Sequence, residues 1–300
     1  MTDALAPSAP SAPNAGRRRA RAAEGGRGLT AGTRTYLYVS MTIVAAIVVI
    51  PLLTTALGGF KTIGDLRGDP FGLPASWQWQ NYTDILTSQR YWLQMGNSLL
   101  IGALTVTLTL VCSAMAAFTF AHVRFFGSGF LLNYFLVGLM FPAATAILPL
   151  FIRVRDLGLL DTYWGVVLPQ VAFGLGMSIL LFRNYFRGLP AELFDAAFVD
   201  GCGYLRFFWY VTLPLSRPIV ATVGIISFVG SWNSYLLPLI MLNSESKYPW
   251  PLGIMVYKGE FMTDWQLILA FITLTIMPTV LVFFLAQRHI IAGLTAGAVK

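Results

Sequence analysis

The sequence predicts an all-α integral membrane protein with six transmembrane helices. Of its 300 residues, 56% are hydrophobic and only 11% are charged, and the mean hydropathy is +0.69, far from the average soluble domain. Six runs without a charged residue are long enough to cross a bilayer, and one Arg or Asp at the centre of such a helix would cost about 3 kcal/mol. These predicted spans cover residues 36–57, 98–121, 130–151, 163–182, 219–242 and 266–286.

The distribution of Lys and Arg predicts the orientation of the spans, because basic residues accumulate in short cytoplasmic loops. With both termini in the cytoplasm, thirteen of the 20 basic residues fall in inner segments and seven in outer segments. Arg153 and Arg155 oppose this bias, although Asp156 and Asp161 partly neutralise them. The sequence therefore predicts a multi-pass membrane protein with both termini inside.

Both ends of the chain are predicted to be cytoplasmic tails. Residues 1–35 hold six Arg among repeated Ala, Pro and Ser, so we expect a disordered basic cytoplasmic tail. Its charges suit contact with anionic membrane lipid, and we expect no nucleic-acid partner. The apolar run that follows is longer than a signal-peptide core and is predicted to be retained as the first span. Residues 36–290 form the six-span domain, and residues 291–300 are predicted to be a cytoplasmic C-terminal tail.

A polar segment between the fourth and fifth spans, residues 187–218, is predicted to carry a short exposed helix. Pro190 suits the first turn of a helix, and Glu192 and Asp195 favour its N-terminal amide groups electrostatically. Gly201, with a second glycine two residues later, is expected to end the helix after about three turns. The helix has more apolar surface than it can bury alone, so we expect it to dock on a partner. An amphipathic connector lying on the membrane is the alternative.

The sequence D-A-A-F-V-D-G at 195–201, followed by L-P at 213–214, resembles the cytoplasmic "EAA" loop of permease subunits in bacterial binding-protein-dependent ABC importers. Asp195 stands where Glu is usual and Cys202 where Ala is frequent, changes that keep the charge and the small size. The resemblance implies the type I ABC importer permease fold, with a cytoplasmic coupling helix that meets the ATPase in the bacterial cell membrane. The residues that it implies in coupling are Glu192, Asp195, Ala196, Ala197, Asp200, Gly201, Leu213 and Pro214.

Other segments are similar to the maltose-type group of carbohydrate permeases. They are P-L-F at 149–151, L-G-L-L-D-T-Y-W-G at 157–165, W-N-S-Y at 232–235 and the terminal G-L-T-A-G-A-V-K at 293–300. Ser234 stands where that group commonly has an acidic residue, so we expect no ion pair there. The terminal motif looks like that of the second permease of the pair. The resemblance implies a carbohydrate substrate and three kinds of partner: a second permease subunit, two ATPase subunits and an extracytoplasmic sugar-binding lipoprotein.

The sequence contains no signature of catalysis or of nucleotide binding. The nearest approach to a phosphate-binding loop, at 58–62, interrupts the Gly-Lys step and lies at the outer end of a span. The chain is therefore predicted not to be an enzyme and to bind no cofactor, with ATP and Mg²⁺ used by the partner ATPase. No metal site is predicted, because His122, His289, Cys112 and Cys202 lack further ligands at suitable spacing.

Uncharged polar residues in or next to the spans are candidates for a substrate path. Gln170, Trp232, Asn233 and Tyr235 offer the amide, hydroxyl and aromatic groups that suit a neutral polyol. The same side chains could instead hydrogen-bond neighbouring helices. The spans hold no ionisable residue of the kind that ion-driven carriers use. An ion-coupled secondary carrier acting alone and a membrane scaffold that transports nothing stay open as alternatives.

Overall fold

The computed structural model of the protein describes residues 31–259 and 263–296, and side chains up to residue 284 except residue 282. The predicted basic tail up to residue 30 and the last four residues of the terminal motif lie outside this part. The chain divides into two compact units, Met1–Leu53 and Thr54–Lys300. Across the described residues the secondary structure is helical, apart from an isolated bridge between Lys258 and Thr263.

The helices up to the polar segment are α1 (Ala31–Gly59), α2 (Ile63–Gly68), α3 (Gln80–Thr87), α4 (Gln89–His122), α5 (Ser128–Gly138), α6 (Ile147–Asp156) and α7 (Tyr163–Arg187). The remaining helices are α8 (Ala191–Val199), α9 (Tyr204–Phe207), α10 (Leu213–Leu215), α11 (Arg217–Trp232), α12 (Leu236–Met241), α13 (Trp250–Gly253) and α14 (Trp265–Ala296). A π-helical turn, Phe208–Thr212, joins α9 to α10. Short 3₁₀ turns lie at Ala143–Ala146, Glu245–Lys247 and Ile254–Tyr257.

The described part of the first unit is the N-terminal portion of α1, which is apolar on all sides. Its helix begins at Ala31, within the predicted tail and five residues before the predicted span. The large apolar side chains between Tyr36 and Leu53 are exposed around the whole helix. A helix that is apolar all round needs either a protein core or lipid around it, and α1 is long enough to cross a bilayer.

The second unit is a bundle in which α4 packs along α7, and α11 packs against α4, α7 and α14. We call the end that carries residues 187–218 the loop end, and the opposite end the far end. An aromatic core at the loop end includes Phe118, Phe182, Phe186, Phe207 and Phe208. A second aromatic core at the far end includes Tyr82, Tyr91, Trp232 and Phe271. A third core, to which α4, α6 and α7 contribute, is aliphatic and includes Ile101, Val154, Val166 and Val167.

The third and fifth predicted spans are not single straight helices, contrary to the sequence prediction. Helix α5 stops at Gly138, and the segment Ala143–Asp156 continues at an angle of 93°. Pro142 lies at this break, where its missing N–H and its effect on the preceding residue prevent helix continuation. In the fifth predicted span, α11 ends at Trp232 and α12 begins at Leu236, with Pro238 inside the second helix. A helix continuing into this region would lose the hydrogen bond that the proline nitrogen cannot donate.

Three helices of the described chain, α1, α4 and α7, are long and apolar enough to cross a membrane. Two bent pairs pass the same test if each is one span, namely Ser128–Gly138 with Ala143–Asp156 and Tyr204–Leu215 with Arg217–Trp232. The second pair bends by 79° at Ser216. Helix α14 adds an apolar stretch, Trp265–Leu281. Each of these six segments overlaps one predicted span.

Candidate functional site

The exposed helix predicted in the polar segment is present as α8, with boundaries that match the prediction. Pro190 precedes it in an extended conformation and acts as its N-cap, and Glu192 lies in its first turn. Asp200 is the C-cap. The proline, which lacks an N–H, occupies a position where no intrahelical hydrogen bond is needed, so its chemistry fixes where the helix begins.

Gly201 ends α8 in the left-handed conformation, with φ of 75°. Its N–H donates to the carbonyl of Phe198 at 3.0 Å, and the N–H of Cys202 donates to the carbonyl of Ala197 at 2.8 Å. This is the pattern of a Schellman motif, which satisfies carbonyl groups that the last helical turn leaves free. Gly203, which we expected to help end the helix, is instead the extended N-cap of α9.

An aromatic stack holds α8 against the loop end of the bundle. The ring of Phe194 lies parallel to that of His122, the last residue of α4, with a centroid distance of 5.3 Å and an interplanar angle of 10°. Phe194 also meets Phe207 edge to face at 5.1 Å and Phe198 at 4.5 Å. Tyr204 closes the stack against Phe198 at 5.1 Å. The stack therefore places α8 in direct contact with the end of α4.

The predicted coupling residues divide between the exposed and the packed faces of the segment. Ala197 and Leu213 pack on the loop-end core, so the structure turns these two residues toward the protein's own interior. The other six are exposed: Glu192, Asp195, Ala196, Asp200, Gly201 and Pro214. Exposed apolar side chains accompany them, because Leu193 and Phe198 are 40% exposed and Val199 is 87% exposed. The outer face of α8 thus combines three carboxylates with a partly exposed apolar strip.

Gln170 connects three helices in the middle of the bundle. Its Oε1 atom accepts hydrogen bonds from Thr105 Oγ1 of α4 at 2.9 Å and from Ser231 Oγ of α11 at 2.7 Å. Its Nε2 atom and Thr109 Oγ1 are buried and have no hydrogen-bond partner in the described part of the chain. Burying a polar group without a hydrogen-bond partner costs free energy. A polar ligand that forms hydrogen bonds with these two atoms would remove this cost.

These atoms belong to residues that line an uncharged cavity of about 270 Å³, which is close to the lower limit of typical ligand pockets, roughly 300 Å³. Its polar lining comes from amide and hydroxyl side chains, namely Thr105, Thr109, Gln170, Ser178, Ser227, Ser231 and Ser234. Phe173 and Met177 contribute part of its apolar lining. Sequence reasoning missed all six of the hydroxyl residues, because isolated Ser and Thr in apolar helices carry no recognisable spacing signal.

Of the four predicted path residues, Gln170 lines this cavity and the other three do not. Trp232 is 1% exposed in the far-end core, where its ring stacks with that of Phe228 at 5.4 Å. Asn233 is exposed, and its Nδ2 atom donates to the carbonyl of Val229 at 2.9 Å. Tyr235 is 39% exposed. Trp232 still belongs to α11 and lies in the far-end core, and Asn233 and Tyr235 lie in the break between α11 and α12, whereas the prediction placed all three within one continuous span.

Asp161 forms a polar clasp at the far end. Its carboxylate accepts hydrogen bonds from the Lys247 ammonium at 2.8 Å and from the hydroxyl of Ser244. The backbone N–H groups of Asn243 and Ser244 donate to it at 3.0 Å and 2.9 Å. The Lys247 hydrogen bond, followed by those from Ser244, holds the pKa of the Asp161 carboxyl well below its usual range. Asp161 has a positive φ of 54°, so this network also stabilises an uncommon backbone conformation.

The glycine-rich segment at 58–62 has a structural role in the far end. Lys61 is 1% exposed, and its ammonium group donates to the carbonyl of Asp69 at 2.6 Å. Gly59 leaves room for Tyr82, since a Cβ atom at this position would lie 2.4 Å from the tyrosine hydroxyl. The segment thus packs against α3.

The fold and the two sites define a class: a helical membrane protein with an uncharged cavity, in which hydroxyl and amide groups lie among apolar side chains, and with an exposed helix. The family described as "Binding-protein-dependent transport system inner membrane component" matches residues 109–295, and the chain belongs to this family. The resemblance found in the sequence is thereby confirmed. The protein is an inner-membrane component of a transport system.

Similar proteins include several permeases from bacteria. The chain is 33% identical to the diacetylchitobiose uptake system permease protein NgcG of Streptomyces coelicolor, over 85% of each protein. It is 35% identical to the arabinooligosaccharides transport system permease protein AraQ of Halalkalibacterium halodurans, over 88% of this chain and 95% of the relative. It is 32% identical to the probable ABC transporter permease protein YurM of Bacillus subtilis, over 89% of this chain and 88% of the relative.

Among solved structures, the fold is similar to a chain of a bacterial ABC transporter involved in the import of the acidic polysaccharide alginate. The TM-score is 0.75 with 23% sequence identity, and the match covers 87% of this chain and 98% of the other. A second structure, of a bacterial alginate ABC transporter in complex with an alginate pentasaccharide-bound periplasmic protein, has a TM-score of 0.63 with 11% identity. At these identities the likeness shows the fold.

Proposed function

We propose that the chain is the second permease subunit of an ATP-driven importer for a neutral carbohydrate, such as a di- or oligosaccharide. The observation that carries the substrate class is the uncharged cavity around Gln170, whose polar lining consists of amide and hydroxyl groups. A neutral polyol can satisfy such groups without bringing a charge into the membrane. The relatives whose names mention diacetylchitobiose and arabinooligosaccharides support the same class.

In this proposal, the energy comes from a separate ATPase that docks on the outer face of α8. Exposed Glu192, Asp195 and Asp200 make the polar contacts, and the apolar strip of Leu193, Phe198 and Val199 supplies buried area. The stack of Phe194 on His122 then passes the motion of α8 to α4, which also carries Thr105 and Thr109 of the cavity. ATP and Mg²⁺ act in the partner chain.

The remaining partners follow from the same proposal. A second permease completes the translocation path, two ATPase subunits bind on the cytoplasmic side, and an extracytoplasmic sugar-binding lipoprotein delivers the substrate. Loaded binding protein and ATP favour one conformation by binding it more tightly than the other, and this difference drives alternating access. The termini and α8 then lie in the cytoplasm, in agreement with the bias of Lys and Arg.

Co-purification and uptake measurements test this function. A tagged form isolated from its native membranes in mild detergent should carry an ATPase, a sister permease and a sugar-binding protein, identified by mass spectrometry. Uptake of the sugar bound by that protein should stop when cellular ATP is depleted and persist when ion gradients are collapsed at constant ATP. The reverse pattern would identify an ion-coupled carrier, and partner binding without solute movement would identify a scaffold.

The cavity is tested by Gln170→Leu, which removes the amide that faces the hydroxyl groups. We expect uptake of the sugar to fall about tenfold at subsaturating concentration, the effect of losing roughly 1 to 1.5 kcal/mol of hydrogen bonding. Gln80→Leu, on the exposed surface of α3, is the matched control and should transport normally. Equal uptake by the two variants at equal membrane levels would rule the cavity out as part of the path.

A further inference from the structure

A second cavity, of about 520 Å³, lies at the loop end between the start of α8 and the ends of α4 and α7. Its lining is strongly basic. Three arginine residues line it, namely Arg124 in the α4–α5 connection and Arg183 and Arg187 in the last turns of α7. Asp195 is the one carboxylate residue among those that line it. The formal charge of this lining is therefore positive.

These three arginines are not neutralised within the described part of the chain. The ion pairs found there are Arg90–Glu245, Arg155–Asp156 and Lys247–Asp161, and none involves the cavity. Arg183 and Arg187 are four residues apart on one helix, a spacing at which like charges repel. Arg183 donates from Nε to the carbonyl of Phe120 at 3.4 Å, and its two terminal nitrogens make no hydrogen bond with described residues.

A histidine side chain indicates the same ligand chemistry as the three arginines. His122 also lines the cavity, and its Nε2 atom is buried without a hydrogen-bond partner in the described chain. Arginine forks bind carboxylate and phosphate groups through pairs of N–H donors, and several arginines together suit the charge of a phosphate. An anion held here would relieve the repulsion between the arginines and satisfy their unused donors.

We propose that this arginine-lined cavity binds a phosphate group, and that the bound group braces α8 against the ends of α4 and α7. The phosphate belongs either to the headgroup of an anionic lipid or to a soluble phosphate compound. Both sources present the same chemistry to Arg124, Arg183 and Arg187. Because the cavity includes Phe194 and the first turn of α8, occupancy stabilises the helix that meets the partner.

The proposal is tested on the intact transporter, purified with its partners and reconstituted in vesicles of neutral phosphatidylcholine. One arm adds phosphatidylglycerol to the vesicles, and the other adds millimolar inorganic phosphate to neutral vesicles. We expect at least one arm to raise the melting temperature of the chain by roughly 2 to 5 °C. High salt should reduce the effect, since it screens the partly exposed charges.

The double substitution Arg183→Gln and Arg187→Gln should abolish this shift. The matched control, Arg153→Gln with Arg155→Gln, removes the same charge from the last turn of α6 and should keep the shift. The double substitution Arg183→Lys and Arg187→Lys keeps both positive charges but removes the paired N–H donors of the guanidinium groups. This variant should lose most of the shift in melting temperature, and it serves as the test if the Gln pair does not fold.

If only phosphatidylglycerol raises the melting temperature, the bound phosphate belongs to a lipid headgroup. If inorganic phosphate raises it, the bound phosphate comes from a soluble compound. The proposal is overturned if neither probe changes the melting temperature of the wild type, or if the Gln and Lys pairs respond as strongly as the control. Because the readout is thermal and needs no sugar, a failure here is distinct from a failure of the proposed carbohydrate function.

Discussion

Gly201 shows how a single residue shapes the surface proposed to bind the ATPase. Its positive φ lets the chain reverse immediately after α8, so that α9 returns to the aromatic stack. There is open space around the position where a Cβ atom would lie, so the constraint on this residue comes from its backbone conformation. A side chain in the left-handed region costs roughly 1 to 2 kcal/mol, and Asn and Asp tolerate this region better than other residues.

We predict that Gly201→Asp abolishes uptake while the protein still inserts into the membrane. The new carboxylate would follow Asp200 at the C-terminal end of α8, where the helix dipole and the adjacent charge both oppose it. Gly201→Asn has nearly the same shape without the charge, so it should retain a measurable part of the uptake. Uptake assays normalised to membrane levels by immunoblot compare the two. Normal uptake by Gly201→Asp would contradict a role for this turn in coupling.

At the scale of the element, α8 is held by ring contacts rather than by hydrogen bonds to the bundle. Phe194 stands at the centre of these contacts, between His122 of α4 and Phe207 of α9. The helix is only nine residues long, and helices of this length are marginal without tertiary packing. Its position therefore depends on the aromatic stack.

We predict that Phe194→Ala uncouples the transporter. Loss of the ring should cost about 2 to 4 kcal/mol of local packing, since the side chain is only partly buried, and should leave α8 poorly connected to α4. In reconstituted vesicles, ATP hydrolysis should continue while sugar uptake per ATP falls at least about tenfold.

Phe126→Ala is the matched control for this experiment, because it deletes the same ring from a fully exposed position in the neighbouring connection. It should transport at the wild-type rate. A normal ratio of uptake to ATP hydrolysis in Phe194→Ala would show that α8 transmits its motion by another route.

At the scale of the whole molecule, the Asp161 clasp fastens connections that are far apart in sequence. Asp161 follows α6, whereas Ser244 and Lys247 follow α12, so one carboxylate joins segments separated by more than 80 residues. Asn97 of α4 strengthens the same end by donating to the carbonyls of Ser246 and Tyr248. These bonds fix the far ends of the bundle helices relative to each other.

The lowered pKa of Asp161 gives this clasp a defined pH dependence. A carboxyl whose pKa is lower in the folded state stabilises the fold fully above its unfolded pKa, about 3.9, and this contribution is lost as the pH falls toward the folded value. The purified protein should therefore lose thermal stability on acidification below about pH 4, and Asp161→Asn should lower its stability at pH 7. Melting curves between pH 7 and pH 3 measure both effects.

Glu245→Gln provides the comparison, because it removes a carboxylate from the exposed Arg90–Glu245 pair on the same connection. Exposed ion pairs contribute little to the free energy of unfolding, so this variant should have the same melting temperature as the wild type. Equal melting temperatures for Asp161→Asn and Glu245→Gln would contradict the structural role of the clasp.

The sequence by itself determined the features that depend on local chemistry. Apolar runs without charge located the membrane segments, because length and hydropathy are properties of contiguous residues. Pro190 and Gly201 set the limits of α8 through backbone constraints that act within a few positions. The family was also recognisable from the short motifs around Asp195.

Only the tertiary structure decided which side chains meet. The cavity brings together Thr105, Gln170 and Ser231 from three helices, and their hydrogen bonds depend on how those helices pack. Trp232 was expected on a substrate path but lies in the far-end core, where its ring packs against those of Phe228 and Trp250. The positions of isolated hydroxyl and amide residues in the sequence do not predict which residues they contact. Contacts between distant residues depend on how the helices of the whole bundle pack.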